Sequence, residues 1–417
     1  MRNWRTIPSL AVFRHPSFRN FQVARLLTIV ASEMQSVAVG WQIYAITHRP
    51  LDLGLAGLAQ FLPSLLLFLV TGATADRRPR QKIVFACLLG FSLCSAALLT
   101  LELRGVGGVA AIYCVLVVLG VVRAFHAPTA QALMPQLVPA EEFPRAVAWN
   151  SSLFQTATIA GPALGGLIYA LTGGARAVYA SSAAACLVAA ALMTFVHPAV
   201  AQRPRGAATL DGILDGFHFV WRNKLVLGAI SLDLFAVLLG GAVALLPVYA
   251  REILHAGPIG LGLLRSAPGV GAVMTALFVA HRPLRRRVGR LMMAAVASFG
   301  VFTIVFGLSH NLWLSMAALF LTGASDAVSV IVRGTMVQIS TPDAMRGRVS
   351  AVNMLFIGTS NEFGQFESGI TAQWLGTVPA VVLGGVGTLL VIALWTRLFP
   401  RLGRVDSFAD LSVPKIV

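Results

Sequence analysis

Along the chain, long apolar runs alternate with short polar breaks from Phe21 to Phe399, and twelve such runs can be counted. Their approximate bounds are 21–47, 52–74, 82–102, 108–128, 143–171, 177–197, 225–250, 258–280, 290–309, 312–336, 347–373 and 378–399. A helix rises about 1.5 Å per residue, so about 20 apolar residues cross a hydrocarbon core of about 30 Å. Each run therefore predicts a membrane-spanning helix. The basic amino-terminal stretch, MRNWRTIPSLAVFRHPSFRN, has no short apolar core followed by a small-residue cleavage site, so no removable signal is expected and the first span stays.

Composition agrees with the pattern. Of 417 residues, 57% are hydrophobic and 12% charged, which excludes a water-soluble globule. A net charge of +16 raises the question of nucleic acid, and the placement of the basic residues answers it. Alternate loops carry Arg77, Arg78, Arg80 and Lys82, then Arg203, Arg205, Arg222 and Lys224, then Arg282, Arg285, Arg286, Arg287 and Arg290. The opposite loops carry only Arg49, Arg104, Arg176 and Arg251. This asymmetry follows the positive-inside rule and predicts that both termini are cytoplasmic. The basic excess then reflects topology and anionic lipid, with no nucleic acid as partner. Cys87, Cys94, Cys114 and Cys186 all fall inside apolar spans with no metal-ligand spacing, so buried thiols are expected, with neither disulfide nor metal.

A shift of 203 positions superposes Arg19 and Asn20 on Arg222 and Asn223, Gly120 on Gly323, Pro139 on Pro342, Asn150 on Asn353, Gly161 on Gly364, and Gly166 on Gly369. The offset is nearly half the chain and predicts an internal repeat of six plus six helices. The expected organisation is a cytoplasmic segment 1–20, a six-helix bundle 21–197, a linker 198–224, a second bundle 225–400 and a cytoplasmic tail 401–417. Within the linker Leu210, Ile213, Leu214, Phe217 and Trp221 recur at helical spacing opposite Asp211 and Asp215, which predicts an amphipathic helix on the inner membrane surface.

Three stretches carry a resemblance. GATADRRPRQK, with Gly72, Asp76, Arg77, Arg80 and Lys82, resembles the loop signature of the major facilitator superfamily, although Pro79 stands where glycine is commoner. AGPALGG, with Gly161, Pro162, Gly165 and Gly166, resembles the glycine-proline motif of exporters in that superfamily. TPDAMRGRVSAVNMLFIGTSNEFGQFESG is similar to the branch that contains the bacterial enterobactin exporter. The resemblance implies an all-α membrane protein of two pseudo-symmetric six-helix bundles, a conformational latch at the first motif and helix packing at the second. It also implies that spans 1, 4, 7 and 10 line a central cavity.

Ionisable side chains at the centre of a span cost about 2.5–3.5 kcal/mol on insertion scales, so each is a candidate for function. Glu33 lies in the first span, Arg123 in the fourth, Asp233 in the seventh, Asp326 and Arg333 in the tenth and Glu362 in the eleventh. These six are the expected proton-coupling and substrate-cavity residues; Glu33, Asp326 and Glu362 lie near mid-span, while Arg123, Asp233 and Arg333, like Arg25 and Arg265, are less central, and His126 is a further proton-relay candidate. At 100° per residue Asp326, Ser329 and Arg333 share a face. Glu362 and Glu367 cannot share one; Glu362 is expected in the cavity and Glu367 in a structural bond between helices. The alternative for Glu33 and Asp326 is that one of them neutralises Arg123.

The expected function is secondary active transport by alternating access: export of a small amphipathic molecule, such as a siderophore, drug or secondary metabolite, in exchange for protons. A monomer in the bacterial inner membrane is expected, contacting substrate, protons and lipid. No cofactor and no enzymatic chemistry are expected, since neither a P-loop nor a clustered catalytic set is present. An uptake symporter and a non-transporting receptor or scaffold are the alternatives.

Overall fold

The computed structural model describes residues 8–105, 108–198, 210–284, 286–342 and 345–411. In chain order the helices are α1 (Pro16–Thr47), α2 (Pro50–Arg77), α3 (Arg80–Arg104), α4 (Gly108–Leu133), α5 (Phe143–Thr172) and α6 (Arg176–Thr194). They continue as α7 (Leu210–Arg222), α8 (Lys224–Gly240), the single turn α9 (Leu246–Val248), α10 (Gly257–His281), α11 (Val288–Leu308) and α12 (Leu312–Ile339). The last are α13 (Arg346–Leu375), α14 (Thr377–Leu398) and the short α15 (Pro400–Arg404). The described residues contain no strand.

Eleven of the twelve apolar runs fall on single long helices, whereas the seventh, 225–250, starts on α8 and continues past a break at Gly241 through short helical turns to Ile253; α7 is the helix expected in the linker, with the side chains of Leu210, Asp211 and Ile213 outside the described residues. Among the described residues ten segments are long and apolar enough to cross a membrane, one of them α8 together with the turns up to Ile253. The other two, α5 and α13, each have 30 residues but carry amides, glycines and charges that dilute their apolar content. Of the linker, residues 199–209 lie outside the described residues, as do Arg203, Arg205 and Arg285 of the basic loops.

The chain forms two compact units. One comprises residues 1–47 and 59–208, the other 48–58 and 209–417, so the opening turns of α2 cluster with the second unit. Within each unit the repeat has a physical content. A Cβ on Gly120 would collide with the backbone of Gln60 on α2, and one on Gly323 would collide with the backbone of Pro268 on α10. Only a residue without a side chain lets these helix pairs come together at the backbone, so α4 on α2 repeats as α12 on α10. Asn223 behaves differently from its repeat mate. Its side chain accepts hydrogen bonds from the amides of Leu225 and Val226 and caps α8, whereas Asn20 lies inside the continuous α1.

The first unit is tied together near its amino terminus. Arg14 pairs with Glu142, and His15 Nε2 lies 3.0 Å from the same carboxylate, while Phe13 meets Trp149 edge to face at 5.0 Å. The second unit has an ion pair of its own at α7: Arg348 Nη1 of α13 meets Asp215 Oδ2 at 2.8 Å.

Candidate functional site

In the second unit α8 and α12 bring three of the expected residues together. Arg333 Nη1 lies 2.6 Å from Asp233 Oδ2, with both residues buried. Asp326 sits two helical turns before Arg333 on the same face of α12, as its spacing predicts. It shares with Asp233, Val237, Val296, Phe299 and Ser329 a small cavity with room for about one water molecule. Asp326 forms no hydrogen bond with the described residues; its charged neighbours are Asp233 and Arg333. Two carboxyl groups and one guanidinium thus occupy a largely apolar enclosure, and the charge of the set depends on one proton.

On α13, Glu362 Oε2 accepts from Gln365 Nε2 at 3.3 Å. The start of α2 lies over it: a Cβ on Gly57 would stand 3.4 Å from both Glu362 Oε2 and Gln365 Oε1. Gly54 and Gly369 extend the seam, each meeting backbone of the other helix. Glu367 accepts from Thr371 Oγ1 at 2.8 Å, one turn along its own helix. That bond lies within α13, not between helices as expected, because the i and i+4 positions of a helix already stand side by side.

In the first unit the exporter-like motif supports Glu33. Gly161, Pro162, Gly165 and Gly166 are all buried on α5. A Cβ at Gly161 would lie 2.5 Å from the Cβ of Glu33, and one at Gly165 would lie 2.7 Å from the Cα of Met34. The glycines therefore seat α1 directly on α5 at the turn that carries the acid. Glu33 is half-buried and has no hydrogen bond or ion pair with the described residues. Arg123 is exposed and donates from Nη1 to Gln60 Oε1 at 3.2 Å, so a neutral amide, not an acid, is its partner in this unit. His126, one turn on, meets the Phe91 ring edge to face at 5.2 Å.

At the latch-like motif, Arg80 is buried and donates from Nη1 to Ala132 O at 2.9 Å. A guanidinium there satisfies one of the orphan carbonyls in the last turn of α4 and complements its dipole. Lys82 is exposed. Gly72, Asp76 and Arg77 belong to α2, but their side chains lie outside the described residues. One expectation for the cysteines is corrected: Cys87, Cys94 and Cys186 are buried, but Cys114 is exposed on the outer face of α4. Membership of an apolar span did not decide which way it points.

A polar ladder between α1, α3 and α6 carries no mark in the pattern of single helices. Ser95 Oγ donates to Gln35 Oε1 at 2.5 Å, Gln42 Nε2 donates to Glu102 Oε2 at 2.6 Å, and the Tyr179 hydroxyl donates to Gln42 Oε1. Gln35 and Gln42 are seven residues apart, as are Ser95 and Glu102, so one register aligns both rungs. Among the described residues no group of three or more His, Cys, Asp or Glu stands close enough to hold a metal.

The family model for transmembrane secretion effectors matches residues 7–415. The chain belongs to the major facilitator superfamily. It is 28% identical over 400 residues to the enterobactin exporter of Citrobacter koseri, covering 94% of this chain and 93% of that protein. The same figures hold for the enterobactin exporter of Shigella boydii. Among solved structures, a bacterial homologue of the human lysosomal transporter Spinster, inward-facing and occupied, matches with a TM-score of 0.70 at 13% identity, covering 92% of this chain and 97% of that one. A bacterial homologue of the iron transporter ferroportin, inward-facing, matches at 0.69 and 15% identity, covering 92% and 98%. These structures share the all-helical major facilitator fold with this chain. The protein is thus a multi-pass membrane transporter of that superfamily.

Proposed function

We propose that this transporter exports a small amphipathic molecule in exchange for protons, by alternating access, from the bacterial inner membrane with both termini cytoplasmic. The reading is supported foremost by the buried Asp233–Arg333 pair with the unpaired Asp326 beside it. With Asp326 protonated, the set is neutral and suits a closed, dry enclosure. With Asp326 ionised, the set carries one net negative charge, which a low-dielectric interior disfavours unless water or a cationic partner reaches it. Protonation therefore biases which conformation is favoured, and this is the linkage an exchanger needs. Glu362, under the start of α2, is the second proton carrier, and Glu33 and Arg123 are the polar groups that the first unit offers to substrate. The siderophore, drug or secondary-metabolite class of cargo follows from the likeness to relatives named as enterobactin exporters.

The test is reconstitution in proteoliposomes with an imposed pH gradient and a panel of catecholate siderophores, drugs and lipophilic cations. The expected result is gradient-driven movement of one class by the natural protein. Asp326→Asn should retain substrate exchange without a gradient and lose gradient-driven accumulation at least tenfold. Undiminished accumulation by Asp326→Asn and by Glu362→Gln alike overturns the assignment.

A further inference from the structure

α7 presents a second, unassigned surface. Its inner face is committed to protein: Val220 is 1% exposed in a cluster with Val226, Ile230, Val337, Val349 and Val352, and a Cβ on Gly216 would stand 2.8 Å from Arg348 O. Its opposite face is more open, although the Phe217 ring also meets the Phe356 ring of α13 at 6.4 Å. Leu214 is 60% exposed, Phe217 43% and Trp221 60%, and the rings of Phe217 and Trp221 stack at 6.0 Å and 21°. At 100° per residue these three fall within about 60° of one another. His218 and Arg222 follow on one flank of the stripe, and both are exposed, as is Lys224 just beyond the helix. None of the three basic groups has a hydrogen bond or ion pair with the described residues. The one acid on that flank with a described side chain, Asp215, is engaged by Arg348.

Chain continuity fixes the depth of this stripe. A single residue, Asn223, with ψ at 94°, joins α7 to the membrane-crossing α8, so the carboxyl end of α7 lies where that span begins. The 13 residues of α7 extend only about 20 Å and include charges, too short and too polar to cross. An exposed aromatic and leucine stripe at that depth, edged by unpaired cations, fits the boundary between acyl chains and headgroups of an anionic leaflet.

We propose that α7 is a docking site for anionic phospholipid: Leu214, Phe217 and Trp221 enter the acyl boundary, and Arg222 and Lys224, with His218 beside them, hold a phosphate headgroup. Through the Asp215–Arg348 pair and the Gly216 contact, the bound lipid is coupled to α13, the helix of Glu362. The docking itself is independent of the exchange mechanism proposed above.

The experiment uses the full chain. Native mass spectrometry of delipidated protein titrated with phosphatidylglycerol or phosphatidylcholine reads affinity, and vesicles containing brominated phosphatidylglycerol read depth by fluorescence quenching. The expected result is tighter binding of phosphatidylglycerol, weakened roughly fivefold by each of Arg222→Ala and Lys224→Ala, in line with the usual contribution of a basic residue at an anionic surface. Quenching of the Trp221 contribution, taken as the difference from Trp221→Phe, should also appear. Trp221 and Arg222 lie on the exposed side of α7 and Lys224 is exposed at the start of α8, and an unchanged melting temperature confirms that the three substitutions leave the fold intact. Equal affinity for the two lipids, displacement by soluble glycerol phosphate as effective as by lipid, or a Trp221 contribution that brominated lipid leaves unquenched overturns the proposal. So does self-association that disappears in Phe217→Ser, because a second copy then covers the stripe.

Discussion

Arg333 shows how one side chain can be indispensable without adding stability of its own. Removing it leaves Asp233 buried and unpaired, a loss that typically costs about 3–5 kcal/mol, whereas replacing both charges with apolar or neutral groups of similar size is often neutral. Arg333→Ala should therefore lower the detergent melting temperature sharply, and Asp233→Asn combined with Arg333→Leu should restore most of it while transport stays lost. Equal melting temperatures for single and double variants would show that the pair is not buried as described. Glu362 is held in part by the amide of Gln365, a neutral donor that a glutamine in its place can also meet, so Glu362→Gln should keep the melting temperature within a few degrees and lose coupled transport in the same liposome assay. The sequence made the acids legible because an ionisable residue inside an apolar run is conspicuous. It could not pair Asp233 with Arg333, 100 positions away, because that depends on how α8 and α12 are rotated against each other. The exposed Cys114 and the Gln42–Glu102–Tyr179 contact escaped for the same reason: one sequence specifies which residues share a helix face, not what that face meets.

Among the elements, α5 and α1 are fitted more closely than any side chain would allow. Gly165→Leu should force the two helices apart at Met34 and abolish folded protein in detergent-solubilised membranes, read by size-exclusion chromatography. Gly334, on α12, makes a useful contrast because a Cβ there meets nothing within 4 Å. Alanine at that position should raise helix stability by up to about 1 kcal/mol, visible as a small increase in melting temperature. The motif AGPALGG was readable as a packing device because small residues four apart leave a groove on a helix. Its partner was not readable, since nothing in those seven residues names Glu33 and Met34.

For the whole molecule, the all-helical membrane architecture was legible from periodicity, and the constant offset picked out glycines, such as Gly120 and Gly323, at which backbones touch in each unit. The assignment of residues 48–58 to the second compact unit was not, since an apolar helix gives no sign of where along its length its neighbours change. The proposed orientation is testable at this scale. A fluorescent protein fused after Val417 should fluoresce and a fused alkaline phosphatase should stay inactive, because both termini are expected on the cytoplasmic side. An active phosphatase would invert the topology.

Among the described residues α5 and α13, though 30 residues long, are the long helices whose apolar stretches fall short of a self-sufficient span, and this has a consequence for biogenesis. A segment that partitions poorly on its own must wait at the translocon for a companion to shield its amides and charges, so α5 should enter the bilayer as cargo of α1, and α13 as cargo of α8. Nascent chains halted just after Gly173 but lacking α1 should leave α5 accessible to water-borne reagents, while the same chains with α1 restored should not.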